Sequence, residues 1–179
     1  MFKALIGDLF ASRAQTLVNA VNCVGVMGKG IALEFKKAYP AMFADYAQRC
    51  ARGHVRLGEP YLFHDLSAAM ILNFPTKDHW RSASRLVDIE RGLDYFVAHA
   101  REWGIQSVAF PSLGCGNGGL AWSEVGPLIY QKLRGCDYEV EVYALYGTPR
   151  AQLTEEFLTG HSQTGPPMAS LNDSIVRKC

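Results

Sequence analysis

Short apolar runs alternate along the chain with longer stretches in which apolar residues recur every three or four positions. Apolar runs of strand length predict buried β-strands, and the longer period predicts amphipathic helices. The runs predict strands over residues 2–7, 16–21, 59–66, 68–74, 106–114 and 138–147. The periodic stretches predict helices over residues 30–39, 41–53, 84–104, 122–135 and 148–158. This alternation of strands and helices predicts a layered α/β domain.

Local signals refine some of these boundaries. For the helix over residues 84–104, Ser84 is a suitable N-cap and Gly104 a suitable end. Pro127 is expected near the first turn of its helix, where a missing N–H group is tolerated. A turn around residues 65–67 is expected between the third and fourth strands.

The composition is that of one globular domain with enough apolar side chains for a full core. Of the 179 residues, 49% are hydrophobic and 20% are charged, which is typical of one folded domain. The periodicity ends near Leu158, and Gly, Pro, Ser and Gln accumulate after it. We therefore expect one domain over residues 1–158 and a polar, flexible tail over residues 159–179.

Charge and cysteine usage narrow the classes of function and location. The formal net charge is +1, so any contact with nucleic acid has to be local rather than carried by a global basic field. The five cysteines are an odd number without a C-x-x-C pair, which indicates reduced thiols. The first apolar run is too short for a signal peptide, so we expect a cytoplasmic protein without membrane contact. The histidines lack metal-ligand spacing, so no metal site is expected.

Two glycine-rich stretches follow predicted strands and precede predicted helices. The first covers residues 25–32 and the second residues 112–120. Glycines allow close approach of the backbone to a ligand, and the free N–H groups of a helix N-terminus attract an anion. Two such loops at one sheet edge indicate a ligand with a diphosphate. Neither loop has the P-loop or the dinucleotide-binding pattern, so a nucleotide hydrolase or dehydrogenase is not supported. The alternative is that the glycines only form tight turns.

Polar side chains end the first two predicted strands. Asp8 is either an acceptor for an adenine amino group or an aspartate that caps a turn. Asn19 and Asn22 either contact a ribose beside the first glycine loop or satisfy backbone groups, as buried asparagines usually do.

Four separated blocks carry a family resemblance. The blocks "GDLF", "LVNAVNCVGVMGKGIALEFK", "NFPTKDHWR" and "PSLGCGNGGLAW" occur in this order. Together they resemble macrodomains, which bind ADP-ribose, and most of all the DarG antitoxin branch of the DarTG toxin–antitoxin systems. That branch is related to the human terminal ADP-ribose glycohydrolase. The resemblance spans residues 1–158 and implies a three-layer α/β/α fold with a mixed central sheet and no cofactor.

The resemblance also implies the ligand contacts. Asp8 would take the adenine, Asn22 the distal ribose, and the two glycine loops the diphosphate. The full set of residues expected to bind ADP-ribose is Asp8, Leu9, Asn19, Asn22, Gly28, Lys29, Gly30, Ile31, Ala32, Thr76, Ser112, Leu113, Gly114, Cys115, Gly116, Asn117, Gly118 and Gly119.

The resemblance implies an enzyme that removes ADP-ribose from modified bases, chiefly thymidine, in single-stranded DNA. The modification is made by a DarT-type toxin, so ADP-ribosylated DNA and that toxin are the expected partners. Lys77 would be the catalytic residue. The human relative pairs its lysine with an aspartate in the second glycine loop, and Gly118 stands at that place here. The paired mechanism therefore does not transfer whole.

Two chemical roles are open for Lys77. As a free amine it would attack the anomeric carbon of the opened ribose and form an imine that water hydrolyses. As an ammonium group, its ordinary state at neutral pH, it would protonate the leaving base. Trp80 and Arg81 are expected to contact DNA, because a tryptophan beside basic groups suits stacking on a single-stranded base. Cys115 is expected to be structural. The alternatives are a non-catalytic ADP-ribose reader and a hydrolase of protein-linked or acetylated ADP-ribose.

Overall fold

The computed structural model describes residues 1–64 and 70–160. The strands are β1 (Phe2–Ile6), β2 (Thr16–Asn22), β3 (Tyr61–His64), β4 (Met70–Lys77), β5 (Ser107–Pro111) and β6 (Glu139–Ala144). The α-helices are α1 (Gly30–Ala38), α2 (Pro40–Ala51), α3 (Leu86–His99), α4 (Trp122–Leu133) and α5 (Glu155–Leu158). Short 3-10 helices cover Leu9–Ala11, Gly116–Gly118 and Arg150–Leu153. None of the helices in residues 1–64 and 70–160 is long and apolar enough to cross a membrane.

The strands form one mixed sheet in the order β1-β6-β5-β2-β4-β3. All neighbouring strands are parallel except β3, which pairs with β4 in the antiparallel direction at one edge. Parallel strands need crossover connections, and the helices between them provide these connections.

Helices cover both faces of the sheet because adjacent residues of the central strands point to opposite sides. Leu17 of β2 packs in a core with residues of α1 and α2, including Phe35 and Tyr46. The next residue, Val18, packs in a second core with residues of α3 and α4, including Phe96. Two cores on the two faces of a mixed sheet confirm the predicted three-layer α/β/α architecture.

The helix predicted over residues 84–104 is shorter than expected. It begins at Leu86 with Arg85 at the N-cap, and it ends at His99. The predictions that Ser84 caps this helix and that Gly104 ends it were wrong, and Ser84 has a different contact. Its backbone N–H donates instead to the carbonyl of Gly118, at 2.8 Å, and its buried hydroxyl has no hydrogen-bond partner.

Two further details of the predicted helices needed correction. The stretch 148–158 forms the 3-10 helix Arg150–Leu153 and then α5, because Thr154 interrupts the helix and caps α5 through Phe157 N–H at 3.3 Å. Pro127 lies inside α4, past its first turn, so one backbone hydrogen bond of that helix is missing. The turn expected at residues 65–67 and most of the expected tail, residues 161–179, lie outside the described residues.

A bulge shapes the end of β4. Val21 of β2 pairs with Pro75, and the next residue, Asn22, pairs with Lys77, so Thr76 is an extra residue in β4. A bulge of this kind re-aims the side chains of its strand. The strand continues beyond the predicted end at residue 74, and Lys77 is its last residue.

Candidate functional site

A cleft of about 920 Å³ opens at the edge of the sheet where the parallel strands end. The strands that end there lie in the order β1, β6, β5, β2 and β4. Four strand spacings of ~4.8 Å separate the first from the last, so the cleft runs roughly 19 Å along the sheet edge. Asp8 follows β1 at one end, Lys77 ends β4 at the other, and the two glycine loops lie between them.

Most of the residues predicted for the site line this cleft. They are Asp8, Leu9, Asn22, Gly28, Lys29, Gly30, Ile31, Ala32, Thr76, Lys77, Trp80, Arg81, Ser112, Gly114, Cys115, Gly116, Asn117 and Gly118. Asn19, Leu113 and Gly119 do not line it. Asn19 is fully buried within β2 and donates to the Asn73 side chain at 3.0 Å. Leu113 is fully buried in the core.

The carboxylate of Asp8 has a structural role at its end of the cleft. Its Oδ1 accepts a hydrogen bond from the Phe10 N–H at 2.9 Å and caps the short helix Leu9–Ala11. The side chain is exposed and also lines the cleft. The capping and ligand-binding readings of Asp8 are therefore compatible.

Asn22 organises the first glycine loop. Its Oδ1 accepts from the backbone N–H of Val24 at 3.0 Å, and its Nδ2 donates to the carbonyl of Val26 at 2.6 Å. The buried hydroxyl of Tyr46 donates to the same Oδ1 at 2.9 Å, and burial raises the pKa of that phenol. These bonds hold the loop against α2, so Asn22 shapes the cleft wall as well as lining it.

The first residues of α1 line the cleft. The first N–H groups of a helix have no partner within the helix. The N-cap residue, Lys29, makes no side-chain capping bond to them either. Such groups favour an anion. A Cβ on Gly30, whose φ is +56°, would lie 3.1 Å from Nδ2 of Asn117. The two glycine loops thus meet across the cleft.

The second glycine loop packs tightly against Ser84. Gly114 has a φ of +71°, and a Cβ there would lie 3.0 Å from Ser84 Cβ. A Cβ on Gly118 would overlap Ser84 Oγ and lie 3.0 Å from Ser84 Cβ. Position 118 therefore has no room for the acidic side chain of the human relative unless Ser84 moves.

The amine of Lys77 lies between the second glycine loop and the turn after β4. Its Nζ donates to the carbonyl of Asn117 at 2.9 Å and to the carbonyl of Trp80 at 3.3 Å. The side chain is partly exposed and lines the cleft. Two carbonyl groups therefore hold the amine at this end of the cleft.

The turn after Lys77 presents Trp80 at the mouth of the cleft. Oδ1 of Asp78 accepts from the N–H of His79 at 2.7 Å, and hydrogen bonds from Ser82 and from this N–H lower the pKa of Asp78. The ring of His79 stacks on Trp80 with 5.4 Å between centroids, and the Arg81 guanidinium lies 4.5 Å from the indole centroid. The indole is 44% exposed, so it is held by neighbours and open to solvent.

Cys115 lines the cleft inside the second glycine loop. Burial, and after it the charge of Glu124, raises the pKa of this thiol to about 11. Because only the thiolate is a good nucleophile, this environment supports the structural reading of Cys115. Within the described ranges, the histidines, cysteines and acidic residues form no cluster that could hold a metal ion.

Sequence reasoning missed one wall of the cleft. Residues 143–146, at the end of β6, line it, together with Gly7, Phe10, Ala20, Val21, Val26, Glu34 and Pro111. Leu145 and Tyr146 are 45% and 77% exposed. The signal was present, because the carboxyl end of every parallel strand reaches the same edge. The "ALYG" stretch has no glycine loop or charged group that marks it as functional.

The comparisons with known proteins agree with this geometry. A family model described as Macro domain matches residues 18–129. The DNA ADP-ribosyl glycohydrolase of Thermus aquaticus is 42% identical over 155 residues, which are 84% of this chain and 43% of that protein. The chain spans less than half the length of the curated DNA ADP-ribosyl glycohydrolases that it matches.

Two solved structures have the same fold. The macrodomain of Mycobacterium tuberculosis DarG has a TM-score of 0.77 at 44% identity, with 80% of this chain and 97% of that chain covered. Thermosipho africanus DarTG in complex with ADP-ribose has a TM-score of 0.83 at 39% identity, with 88% of this chain and 45% of that chain covered. The matched family model and these similarities show that the chain belongs to the macrodomain family and is similar to the DarG macrodomains.

Proposed function

We propose that this chain is an ADP-ribosyl glycohydrolase that removes ADP-ribose from modified bases, thymidine foremost, in single-stranded DNA. In this role it is an antitoxin to a DarT-type DNA ADP-ribosyltransferase. The position of Lys77 carries the proposal, because its amine lies in the cleft beside the second glycine loop, 2.9 Å from the Asn117 carbonyl. Its similarity to proteins named DNA ADP-ribosyl glycohydrolase supports the same substrate.

The shape of the cleft suits an extended dinucleotide-like ligand. In the proposed complex, Asp8 takes the adenine, the N-terminus of α1 and the second glycine loop take the diphosphate, and the distal ribose lies beside Lys77. The free N–H groups of α1 supply favourable partners for the phosphates. The cleft volume of about 920 Å³ lies within the usual range for small-molecule sites, roughly 300–1,000 Å³. DarTG of Thermosipho africanus, a structure with the same fold, is in complex with ADP-ribose.

We assign Lys77 the role of general acid, because its amine donates hydrogen bonds to two carbonyl groups. The acidic residues that line the cleft within the described ranges are Asp8 and Glu34. Asp8 lies at the opposite end, and Glu34 pairs with Lys37 on α1 at 3.0 Å, so a pair of carboxylates at the bond is not supported. The ammonium group of Lys77 would protonate the leaving base as the C–N bond breaks. Water then adds to the anomeric carbon and returns a proton to the amine.

Release of ADP-ribose from a thymidine-modified single-stranded oligonucleotide tests this proposal. The parent is compared with Lys77→Ala and with Lys3→Ala, an exposed lysine of β1 outside the cleft. Binding of free ADP-ribose is followed by calorimetry in all three proteins. We expect release by the parent and by Lys3→Ala, release reduced at least 100-fold in Lys77→Ala, and binding retained. Equal activity of Lys77→Ala and the parent would contradict the role of Lys77.

The absence of space for an acid at Gly118 keeps a second function open, a non-catalytic ADP-ribose reader. Binding of ADP-ribose without release from the oligonucleotide would support this reader. Release from a protein-linked or acetylated ADP-ribose, but not from DNA, would support a hydrolase of those compounds. A cytoplasmic location, the domain boundary at residue 158 and contact with a toxin remain part of the proposal.

A further inference from the structure

Ser84 lies directly beneath the second glycine loop. It is 5% exposed, and its hydroxyl has no hydrogen-bond partner. A Cβ on Gly118 would overlap Ser84 Oγ, and a Cβ on Gly114 would lie 2.8 Å from Leu120 Cδ1 and 3.0 Å from Ser84 Cβ. An unpaired buried hydroxyl is unfavourable, so a hydrogen bond of the hydroxyl does not explain the serine at this position. The contact with the loop is the feature that distinguishes this position.

The segment from Lys77 to Ser84 holds two consecutive carbonyl groups of the loop. The Lys77 amine donates to the carbonyl of Asn117 at 2.9 Å, and the Ser84 N–H donates to the carbonyl of Gly118 at 2.8 Å. The segment therefore forms a closed ring with the loop: strand end, turn, Ser84, Gly118, Asn117 and back to the amine. Any movement of the loop relative to Ser84 also moves an acceptor of the Lys77 amine.

We infer that Ser84 is a positioning residue for Lys77. Its side chain packs against the second glycine loop and fixes the position of that loop. The Asn117 carbonyl of the loop in turn fixes the position of the Lys77 amine. The glycine at 118 is then required by Ser84 behind the loop as well as by a ligand in front of it. This inference rests on the proposed function, because it concerns the residue that we propose to be catalytic.

Chemical labelling tests the contact without any need for activity. The full chain is treated with an amine-reactive reagent, and the modification of each lysine is followed by peptide mass spectrometry. In Gly118→Ala the added methyl group meets Ser84 and displaces the loop, so Lys77 should react at least threefold faster than in the parent while Lys3 is unchanged. Gly135→Ala is the matched control, because a Cβ there meets nothing within 4 Å. Equal Lys77 labelling in Gly118→Ala and the parent would overturn the inference.

A second-site change separates this packing effect from general damage. In the double variant Ser84→Gly/Gly118→Ala, the methyl group takes the space that the Ser84 side chain leaves. Lys77 labelling should return to within about twofold of the parent rate. A double variant that labels as fast as Gly118→Ala alone would refute the role of Ser84.

Turnover of the modified oligonucleotide supplies the functional readout. In Gly118→Ala, kcat should fall at least tenfold, and by a larger factor than the Kd for ADP-ribose rises, whereas the double variant should recover most of the kcat. Equal changes in kcat and Kd would mean that the loop acts on binding alone and would contradict a positioning role. If the parent releases no ADP-ribose, the proposed function fails, yet the labelling experiment still decides whether Ser84 positions the amine.

Discussion

Replacement of Trp80 by alanine tests whether the mouth of the cleft recognises a DNA base. The indole is 44% exposed, with the Arg81 guanidinium 4.5 Å from its centroid. It is thus a fixed aromatic surface beside the amine of Lys77. The carbonyl of residue 80, which accepts from that amine, belongs to the backbone and is kept in the variant. The substitution therefore removes the ring and leaves this contact of the amine in place.

The expected size of the effect follows from stacking energies. Stacking of a base on an aromatic side chain is worth ~1–3 kcal/mol, and ~1.4 kcal/mol corresponds to a factor of ten. Trp80→Ala should therefore lower kcat/KM for the modified oligonucleotide about 5- to 150-fold. The free energy of unfolding should change little, because the contact with Arg81 at an exposed site contributes only ~0.5–1 kcal/mol.

Two measurements on the same protein check this prediction. Steady-state release from the oligonucleotide reports stacking on the base, and calorimetry with free ADP-ribose reports binding in the rest of the cleft. Trp80→Phe keeps an aromatic ring and should retain most of the activity. Equal losses in oligonucleotide turnover and in ADP-ribose affinity would refute a stacking role.

Three further predictions concern other parts of the molecule. A Cβ on Gly92 of α3 would overlap Cζ of Phe74 and lie 2.6 Å from its Cε1. Overpacking of up to ~3 kcal/mol, offset by ~1 kcal/mol of helix propensity, should make Gly92→Ala about 2 kcal/mol less stable in guanidinium unfolding, and a more stable variant would contradict this. The pKa of the Cys115 thiol is raised to about 11, so the thiol should stay protonated and be alkylated slowly at pH 8 and faster as the pH rises towards 11. The variant Cys115→Ala should keep its activity, and inactivity of a folded variant would contradict a structural role. Asp8→Ala should weaken ADP-ribose binding about 10- to 100-fold in calorimetry, because a hydrogen bond to a charged group contributes ~1.5–3 kcal/mol. An unchanged Kd would mean that Asp8 does not bind ADP-ribose.

Much of the fold was predictable because its signals are local. The apolar runs of β2 and β5 and the helical period of α3 each depend on nearby residues. Parallel strands then bring distant loops to one edge, so the two glycine loops could be expected to share a cleft. The break at Thr154 was not predicted, because the apolar period continues across it while the capping oxygen decides the structure.

The site was harder to predict where tertiary contacts decide it. Asn19 and Asn22 have the same residue type three positions apart, yet Asn19 pairs with Asn73 inside the sheet and only Asn22 lines the cleft. Tyr146 lines the cleft only because β6 lies between β1 and β5. The contact between Ser84 and Gly118 joins residues far apart in the sequence. No local pattern encodes these pairings.

The bulge at Thr76 limits how this site could be transferred to another protein. In a regular strand, Thr76 would pair with Asn22, and Lys77 would point to the face of the sheet that α1 and α2 cover. The extra residue places Lys77, instead of Thr76, opposite Asn22 at the end of the strand that borders the cleft. A lysine substituted at the end of a regular strand would therefore face the wrong way. Transfer of the amine to another α/β sheet requires an inserted residue before it, so the strand register has to be copied along with the side chain.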